Sequence, residues 1–539
     1  MKKINLIKSW PVLLVIGLLN CQPEQTSKKV VEDSSTAVIT SVMCGSSGAS
    51  SESLQNLPAP AFRTGMGSSH LAITTTHPEA QKWFDLGINL LHDFWHLEAY
   101  RVFKEVIKAD PFCAMGYWGL AMCQPGFGGE NNTEWLNAIR KAESLQNNTS
   151  TLEKRLIEAT SLLTEKGIRT AAPAFKKCSE QFPDNPEVLA FAAIVLRQTI
   201  QNQQDSDTLK LSLETALKRF PKHIGLQHYY VHLMELRPDF IQAKAIVEKM
   251  ATATSHVPHL QHMPGHLYFL EGNYAKAVDV FTKVRQQELA YHKAEQIPLV
   301  ADQNYMHNMH YLTVALAELG QKEKALEAAQ SYAHITLTGT TPLTGPALML
   351  LYEGRILPAL VCIRYRDFRQ AEEILSFWLN SFDVPLQSPL VRTYLEAMQA
   401  YCRGMAAIEK GNIPEASAYG MKLTQLMKTF EQQGLQKQQT ADFNSINETY
   451  DILSMARYEL AGWIDNINPN QPFNDMAWKE ALDLEKAIHY DEPPRLMYPI
   501  SESLGRLHLL RKDKTKAKEA FNSALKKRPN SIMIKQLMR

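Results

Sequence analysis

Cysteine is scarce, with seven in 539 residues, and no two form a C-x-x-C pair. A zinc ribbon and a thioredoxin-type dithiol are thereby excluded, and the wide spacing argues against a disulfide framework. Excess charge is also missing, since 57 Lys and Arg stand against 56 Asp and Glu. With no basic patch interleaved with aromatics, no nucleic-acid partner is expected. Strand-like alternation is nearly absent, so an all-α fold is expected. There is no Walker A loop, dinucleotide glycine fingerprint or G-x-S-x-G elbow. H-E-x-x-H is missing too, because the paired histidines enclose Tyr-Tyr-Val and Met-Pro-Gly. The apolar run from Thr344 to Ile363 carries Glu353 and Arg355 in its middle. Two charges in the centre of a bilayer are costly, so a buried helix is expected there instead of a membrane span.

The N-terminus has a character of its own. Lys2, Lys3 and Lys8 precede an apolar stretch from Pro11 to Leu19 that is too short to cross a bilayer, the pattern of an export signal over residues 1–20. Leu18-Leu19-Asn20-Cys21 resembles a bacterial lipobox, with Asn20 larger than the usual residue before the cysteine. The expectation is lipidation of Cys21 and a lipoprotein of the bacterial cell envelope, facing the periplasm or the surface. Without residues 1–20, which hold three lysines and no acid, the net charge is −2, so the lipid and not electrostatics would hold the membrane. Residues 21–75 are rich in Ser, Thr, Gly and Pro and read as a tether, because so polar a segment cannot offset its ordering entropy.

Beyond the tether, the period of the hydrophobic pattern is 34 residues. Trp83, Leu86, Gly87, Ala99, Phe103 and Pro111 fall at positions 4, 7, 8, 20, 24 and 32 of a tetratricopeptide (TPR) unit, two antiparallel helices A and B. Gly265, Tyr268, Gly272, Tyr274, Ala277 and Phe281 repeat the pattern, as do Leu504, Gly505, Ala517, Phe521, Ala524 and Pro529. Weaker copies surround Ala243, Ala325, Ala371 and Ala416. The predicted fold is an all-α, TPR-like solenoid of antiparallel helix pairs, with irregular helical insertions at 131–205 and 440–490. It divides into N-terminal helices (76–205), central histidine-rich repeats (206–385) and C-terminal helices (386–539).

Ten of the seventeen histidines lie between His223 and His310. In a TPR array, positions 2, 5, 9 and 12 of helix A face the concave groove. The register places His259, His262 and His266 at 2, 5 and 9 of one unit, His228, His232 and Glu235 at 5, 9 and 12 of the preceding one, and His307 and His310 at 2 and 5 of the next. Residues four apart share a helix face, and packed helices lie about 8–10 Å apart, so these imidazoles can converge. Several imidazoles without a thiolate suit zinc, copper, iron or nickel. His228, His232, His259, His262, His266, His307, His310 and Glu235 are therefore the candidate ligands of a transition metal. Glu235, Tyr229, Tyr268 and Tyr305 are candidates for proton transfer by position alone. His223, His256 and His292 lie off the register and read as surface residues; His92 and His96 read as helix packing. In HYDEPPR (His489–Arg495) two acids precede a Pro-Pro pair, and a helix-terminating loop is favoured over a return toward the groove.

Several motifs together resemble a family of bacterial TPR-domain proteins. They are Phe94–Gly119 (FWHLEAYRVFKEVIKADPFCAMGYWG, with Gly116 where alanine is usual), His228–His232, His262–His266, His307–His310 and Tyr490–Pro494. The resemblance spans most of residues 80–530. It implies an α-solenoid and marks the central histidines as functional residues, but implies no reaction. Two readings follow: a metal centre, with or without an enzymatic activity, or a metal-free scaffold that grips a peptide or protein partner in its concave face.

Overall fold

The computed structural model describes residues 57–123, 133–254, 256–337, 346–381, 388–435, 443–488 and 492–539. The export signal, Cys21, Cys44, most of the tether and His489–Asp491 lie outside the described residues. Among the described residues, regular structure is entirely helical. The first repeat is α1 (Pro78–His92) with α2 (His96–Ala109), followed by α3 (Ala114–Met122). The expected irregular stretch forms α4 (Thr133–Leu145), α5 (Thr151–Lys166), α6 (Ile168–Gln181), α7 (Pro186–Arg197) and α8 (Gln203–Arg219). The central A helices are α9 (Ile224–Glu235), α11 (Pro258–Leu270) and α13 (Gln303–Glu318). Their B partners are α10 (Lys244–Ala253), α12 (Tyr274–Glu295) and α14 (Lys322–Ala333).

After a single turn, α15 (Pro346–Met349), come α16 (Leu357–Arg364) with α17 (Phe368–Asn380) and α18 (Pro389–Glu409) with α19 (Ile413–Leu435). The chain ends in α20 (Phe443–Asn466), α21 (Met476–Ala487), α22 (Ile500–Leu510), α23 (Lys514–Lys527) and α24 (Ile532–Leu537).

Local chemistry sets many of these boundaries. Ser150 and Glu153 form a reciprocal capping box at the start of α5. Asn185, Asp302 and Ser388 accept from first-turn amides of α7, α13 and α18, and proline opens α1, α7, α11 and α18. Packing within each repeat follows the TPR spacing. A Cβ at Gly87, Gly265 or Gly505 would come within 2.6, 2.2 or 2.5 Å of the phenylalanine sixteen residues on, Phe103, Phe281 or Phe521. These glycines let a buried ring from helix B press on the backbone of helix A.

The run expected to be a buried helix is one from Leu350 onward. A π-type turn at Leu350–Gly354 leads into α16, and Arg355 is buried, with its guanidinium 4.3 Å from the Trp378 ring and a hydrogen bond to the Ile335 carbonyl. Among the described residues, no helix is long and apolar enough to cross a membrane. Cys113, Cys123, Cys178, Cys362 and Cys402 are buried and free, as expected of small apolar residues.

The solenoid closes on itself, which the sequence pattern does not announce. Arg101 on α2 bonds Glu295 at the end of α12 (2.9 Å) and Glu98 (2.5 Å), while Tyr291 donates to Glu98 (2.7 Å). Trp95 packs edge-on to Tyr291, and Asn304 of α13 donates to the Phe94 carbonyl (3.2 Å). The C-terminal repeat folds back as well. Arg364 bonds both oxygens of Glu502 at 2.6 Å and reaches Glu318 at 3.4 Å. Gly272 (φ +73°) turns the chain where a Cβ would collide with the Pro529 carbonyl. The concave face of α9, α11 and α13 is therefore covered by the protein itself.

Candidate metal centre

Each central A helix carries its histidines inward. Met-Pro-Gly between His262 and His266 includes Pro264, which removes the amide that would bond the Leu260 carbonyl one turn back. His228, His232, His259, His262, His266 and His307 are each no more than 2% exposed. They form two groups whose ligating atoms lie within 4.8 Å of one another: His228, His232 and His259, and His262, His266 and His307.

The ring nitrogens are oriented by oxygen acceptors. His228 Nδ1 lies 2.6 Å from the His92 carbonyl, and His262 Nδ1 lies 2.7 Å from Asn308 Oδ1, an amide held by its own bond to the Phe281 carbonyl (3.0 Å). Glu235 serves two rings, with Oε2 2.9 Å from His232 Nδ1 and Oε1 2.9 Å from His266 Nδ1. An Nδ1 that donates its proton leaves Nε2 as a lone pair, and the Nε2 atoms of His228, His262 and His266 each face a neighbouring histidine nitrogen. His228 Nε2 is 3.2 Å from His259 Nε2; His266 Nε2 is 2.6 Å from His262 Nε2 and 3.4 Å from His307 Nε2. His232 Nε2 is buried without a hydrogen-bond partner.

Five of the six imidazoles are held as weak bases. Burial pushes His228, His259, His262 and His307 well below the ordinary histidine range, with neighbouring imidazoles adding to the effect. His232 is pushed down to about 3 by burial, with Arg197 and His266 adding to the shift against the opposing pull of Glu492. His266 is the exception: burial acts to lower its pKa, but Glu235 and Glu492 together outweigh burial and raise it to about 9. A neutral imidazole presents a lone pair to a cation, whereas a protonated one repels it.

Aromatic rings wall the centre. Phe94, with a left-handed backbone (φ 54°), lies 4.5 Å from His228, 5.4 Å from His232 and 5.7 Å from His259 between centroids. Tyr311 lies 4.5 Å from His266 and 5.1 Å from His307 in the same sense. A bulky residue at positive φ is strained, and it is held here by the Asn304 bond to its carbonyl.

Of the predicted ligands, six histidines converge and two residues take other places. His310 stands apart from both groups, because the π-type turn at Leu350–Gly354 presents Glu353 to its Nδ1 at 3.2 Å. Glu235 turns to the Nδ1 side of His232 and His266, the position of an orienting carboxylate. The favoured loop reading of HYDEPPR is corrected in one respect: its Glu492 returns to the centre, 2.9 Å from His266 Nδ1 and 3.9 Å from His307 Nε2.

Asn308 was not singled out in the sequence, although its amide holds His262. Among the proton-transfer candidates, Tyr229 donates to His92 (2.9 Å), and Tyr268 lies beside Glu248, outside the centre. Tyr305 packs beside His292. The expectation of an open groove is corrected too, since contacts between residues far apart in the chain enclose the histidines.

His223 and His292 are buried and not surface residues as expected. His292 bridges Asp302 (3.1 Å) and the Ile297 carbonyl (3.0 Å); His256 is exposed as expected. His92, Glu187 and His223 form a further group, with Glu187 2.6 Å from His92 Nε2 and 3.0 Å from His223 Nε2. His223 Nδ1 accepts from the Leu226 amide, and Tyr229 completes His92. Glu187 is lowered to about 2: burial opposes ionisation, and the bonds to His223 and His92 outweigh it. With its ring nitrogens satisfied, this cluster positions the His92 carbonyl that holds His228.

Residues 503–531 match the tetratricopeptide repeat model. No curated protein matches the sequence. Among solved structures, the chain is similar to a human IFIT1 dimer with m7Gppp-AAAA, at 15% identity over 88% of this chain and 98% of that one, TM-score 0.37. It is also similar to the APC/C hetero-tetramer Cut9-Hcn1, at 10% identity over 85% of this chain and 89% of that one, TM-score 0.28. The repeat match and the helix pairs of the chain itself carry the assignment as an all-α, TPR-type solenoid.

Proposed function

We propose that this protein is an exported, lipid-anchored solenoid of the bacterial envelope that holds a transition metal, zinc, copper, iron or nickel, in its enclosed histidine centre. One observation carries the metal: His228, His232, His262 and His266 each direct Nδ1 to an oxygen acceptor and Nε2 inward, and His232 Nε2 has no other partner. Outer-sphere acceptors of this kind fix the tautomer that a metal requires. The donors also fit the ion. Nitrogens about 2.0–2.1 Å from a tetrahedral ion stand about 3.3 Å apart, against 3.2 Å for His228–His259 and 3.4 Å for His266–His307, while His262–His266 at 2.6 Å must widen to admit one. Enclosure by Phe94, Tyr311 and the Glu492 loop supports holding or storage of the ion over turnover of a bulky substrate.

Protein exported by its natural host is expected to carry metal at near-stoichiometric amount by elemental analysis, and to lose it when His262 and His266 are changed to Ala. Folded protein that takes up no metal, even on reconstitution, would overturn the proposal. Export and lipidation are tested by labelling with a palmitate analogue, which Cys21→Ala should abolish.

A second reading has an observation of its own. A protonated His266 donating to His262 Nε2 at 2.6 Å, with Glu235 and Glu492 behind it, gives a metal-free core. In that case the protein acts as a scaffold, and a protein or peptide partner binds elsewhere than at the covered histidines. Capture of an envelope partner unchanged by chelator, from protein without metal, would favour it.

A further inference from the structure

We propose that the centre is binuclear, with one ion in the triad His228, His232 and His259 and a second in the triad His262, His266 and His307. This rests on the metal reading above and extends it to nuclearity. The two triads share no residue. What joins them is Glu235, which holds His232 of one triad by Oε2 and His266 of the other by Oε1, both at 2.9 Å and both at Nδ1. With Nδ1 of each ring turned to this carboxylate, Nε2 is the atom each offers to its own triad, and that of His266 already faces His262 and His307. An ion in each triad then uses one ring of the Glu235 pair, whereas a single ion between the triads would draw on the mixed group His232, Glu235, His266 and Glu492.

The close nitrogen pairs divide the same way: His228 with His259, and His266 with His262 and His307. The chemistry of the two sets is alike, three imidazoles and no thiolate, so both take the same first-row ion and not calcium or magnesium. Charge favours the pair as well. Two buried carboxylates, Glu235 and Glu492, lie among the triads and offset part of the positive charge that two ions bring into a desolvated interior. Their placement also couples the ions, because withdrawing Glu235 frees one ligand ring in each triad at once.

The experiment uses the full mature chain, stripped with chelator and reloaded with copper or with zinc alone, and counts bound ions per folded protein. Two ions are expected. His228→Gln with His259→Gln should leave one, and His262→Gln with His307→Gln should leave the other one. Glu235→Gln should weaken both, by about 10- to 100-fold each. Copper(II) loading should give an electron paramagnetic resonance spectrum of interacting spins in the parent protein and an isolated-copper spectrum in either double variant.

One ion in the parent protein, removed by either pair of substitutions, overturns the binuclear assignment and leaves the metal reading standing. Zero ions in folded parent protein overturns both. Two ions that leave together in each double variant overturn the allocation of one per triad. The parent stoichiometry needs no substitution, so it decides the matter even where a variant fails to fold, as judged by its helical circular dichroism.

Discussion

His262 and His266 meet nitrogen to nitrogen, Nε2 to Nε2 at 2.6 Å, while the Nδ1 of each is turned to an oxygen, Asn308 for one and Glu235 with Glu492 for the other. Two lone pairs cannot sit at that distance with nothing between them. A proton on His266 bridges them in the metal-free protein; under the metal proposal an ion would take its place and the two nitrogens would separate to about 3.3 Å.

The two rings should therefore respond differently to deletion in chelated protein. His266→Ala removes the cation between two buried carboxylates, and breaking a buried pair in this way costs about 3–5 kcal/mol. His262→Ala removes only a hydrogen-bond acceptor and leaves Asn308 Oδ1 without its donor, a loss of about 1–3 kcal/mol. Urea unfolding of both variants under chelator measures the difference; equal losses would mean that His266 carries no proton there.

Stability of the metal-free protein should be asymmetric in pH. His228, His232, His259, His262 and His307 have folded pKa values below the ordinary histidine value, His232 at about 3. The unfolded chain takes up those protons first, so stability falls as pH drops below about 6.5, by up to about 1.4 kcal/mol per pH unit for each histidine. His266 has the opposite sign: raised to about 9, it stabilises fully below about 6.5 and that contribution is lost as pH climbs to 9. Melting temperatures under chelator should thus peak near neutrality, with a steep acid limb and a shallow alkaline one. A flat profile between pH 6.5 and 5 would contradict the burial of neutral imidazoles.

Asn308→Ala tests orientation without touching a ligand. Its loss frees the His262 ring, and metal affinity is expected to fall about 10- to 100-fold, with the helical content unchanged. Competition titration against a chromophoric chelator reads this directly. An unchanged affinity would show that His262 is not oriented through Nδ1.

Legibility divides along sequence separation. The pairing of Gly265 with Phe281 acts within one repeat, so spacing alone reveals it, and the register that follows brings six histidines of α9, α11 and α13 to one surface. The cover over that surface depends on Arg101 with Glu295 and Asn304 with Phe94, contacts 194 and 210 residues apart, which no local pattern encodes. His310 shows the limit within the register itself. It occupies the same repeat position as His262, yet a π-type turn supplies Glu353 to it and removes it from the centre. Glu492 carried a signal in its Pro-Pro motif, but the direction of that loop is set by the returning C-terminal repeat. His223 lies beyond the reach of the register, which considers only groove positions, whereas this histidine caps α9 and binds Glu187.

Gly265→Ala separates the scaffold from its ligands. The new Cβ would lie 2.2 Å from Phe281 Cε1, with Phe281 fully buried, so the ring or the α11 backbone must shift. Overpacking of this kind costs about 1–3 kcal/mol. Because Gly265 adjoins His266 and Phe281 lies 4.7 Å from the His262 ring between centroids, the shift should also pull the His262, His266 and His307 group apart. Gly505→Ala meets Phe521 with a comparable collision on α22, which carries none of the six converging histidines, and serves as the matched control. Both variants are expected to unfold at lower urea concentration, but only Gly265→Ala should lose metal affinity. Equal loss of metal in the two would mean that general destabilisation, and not the packing of α11 on α12, governs the centre.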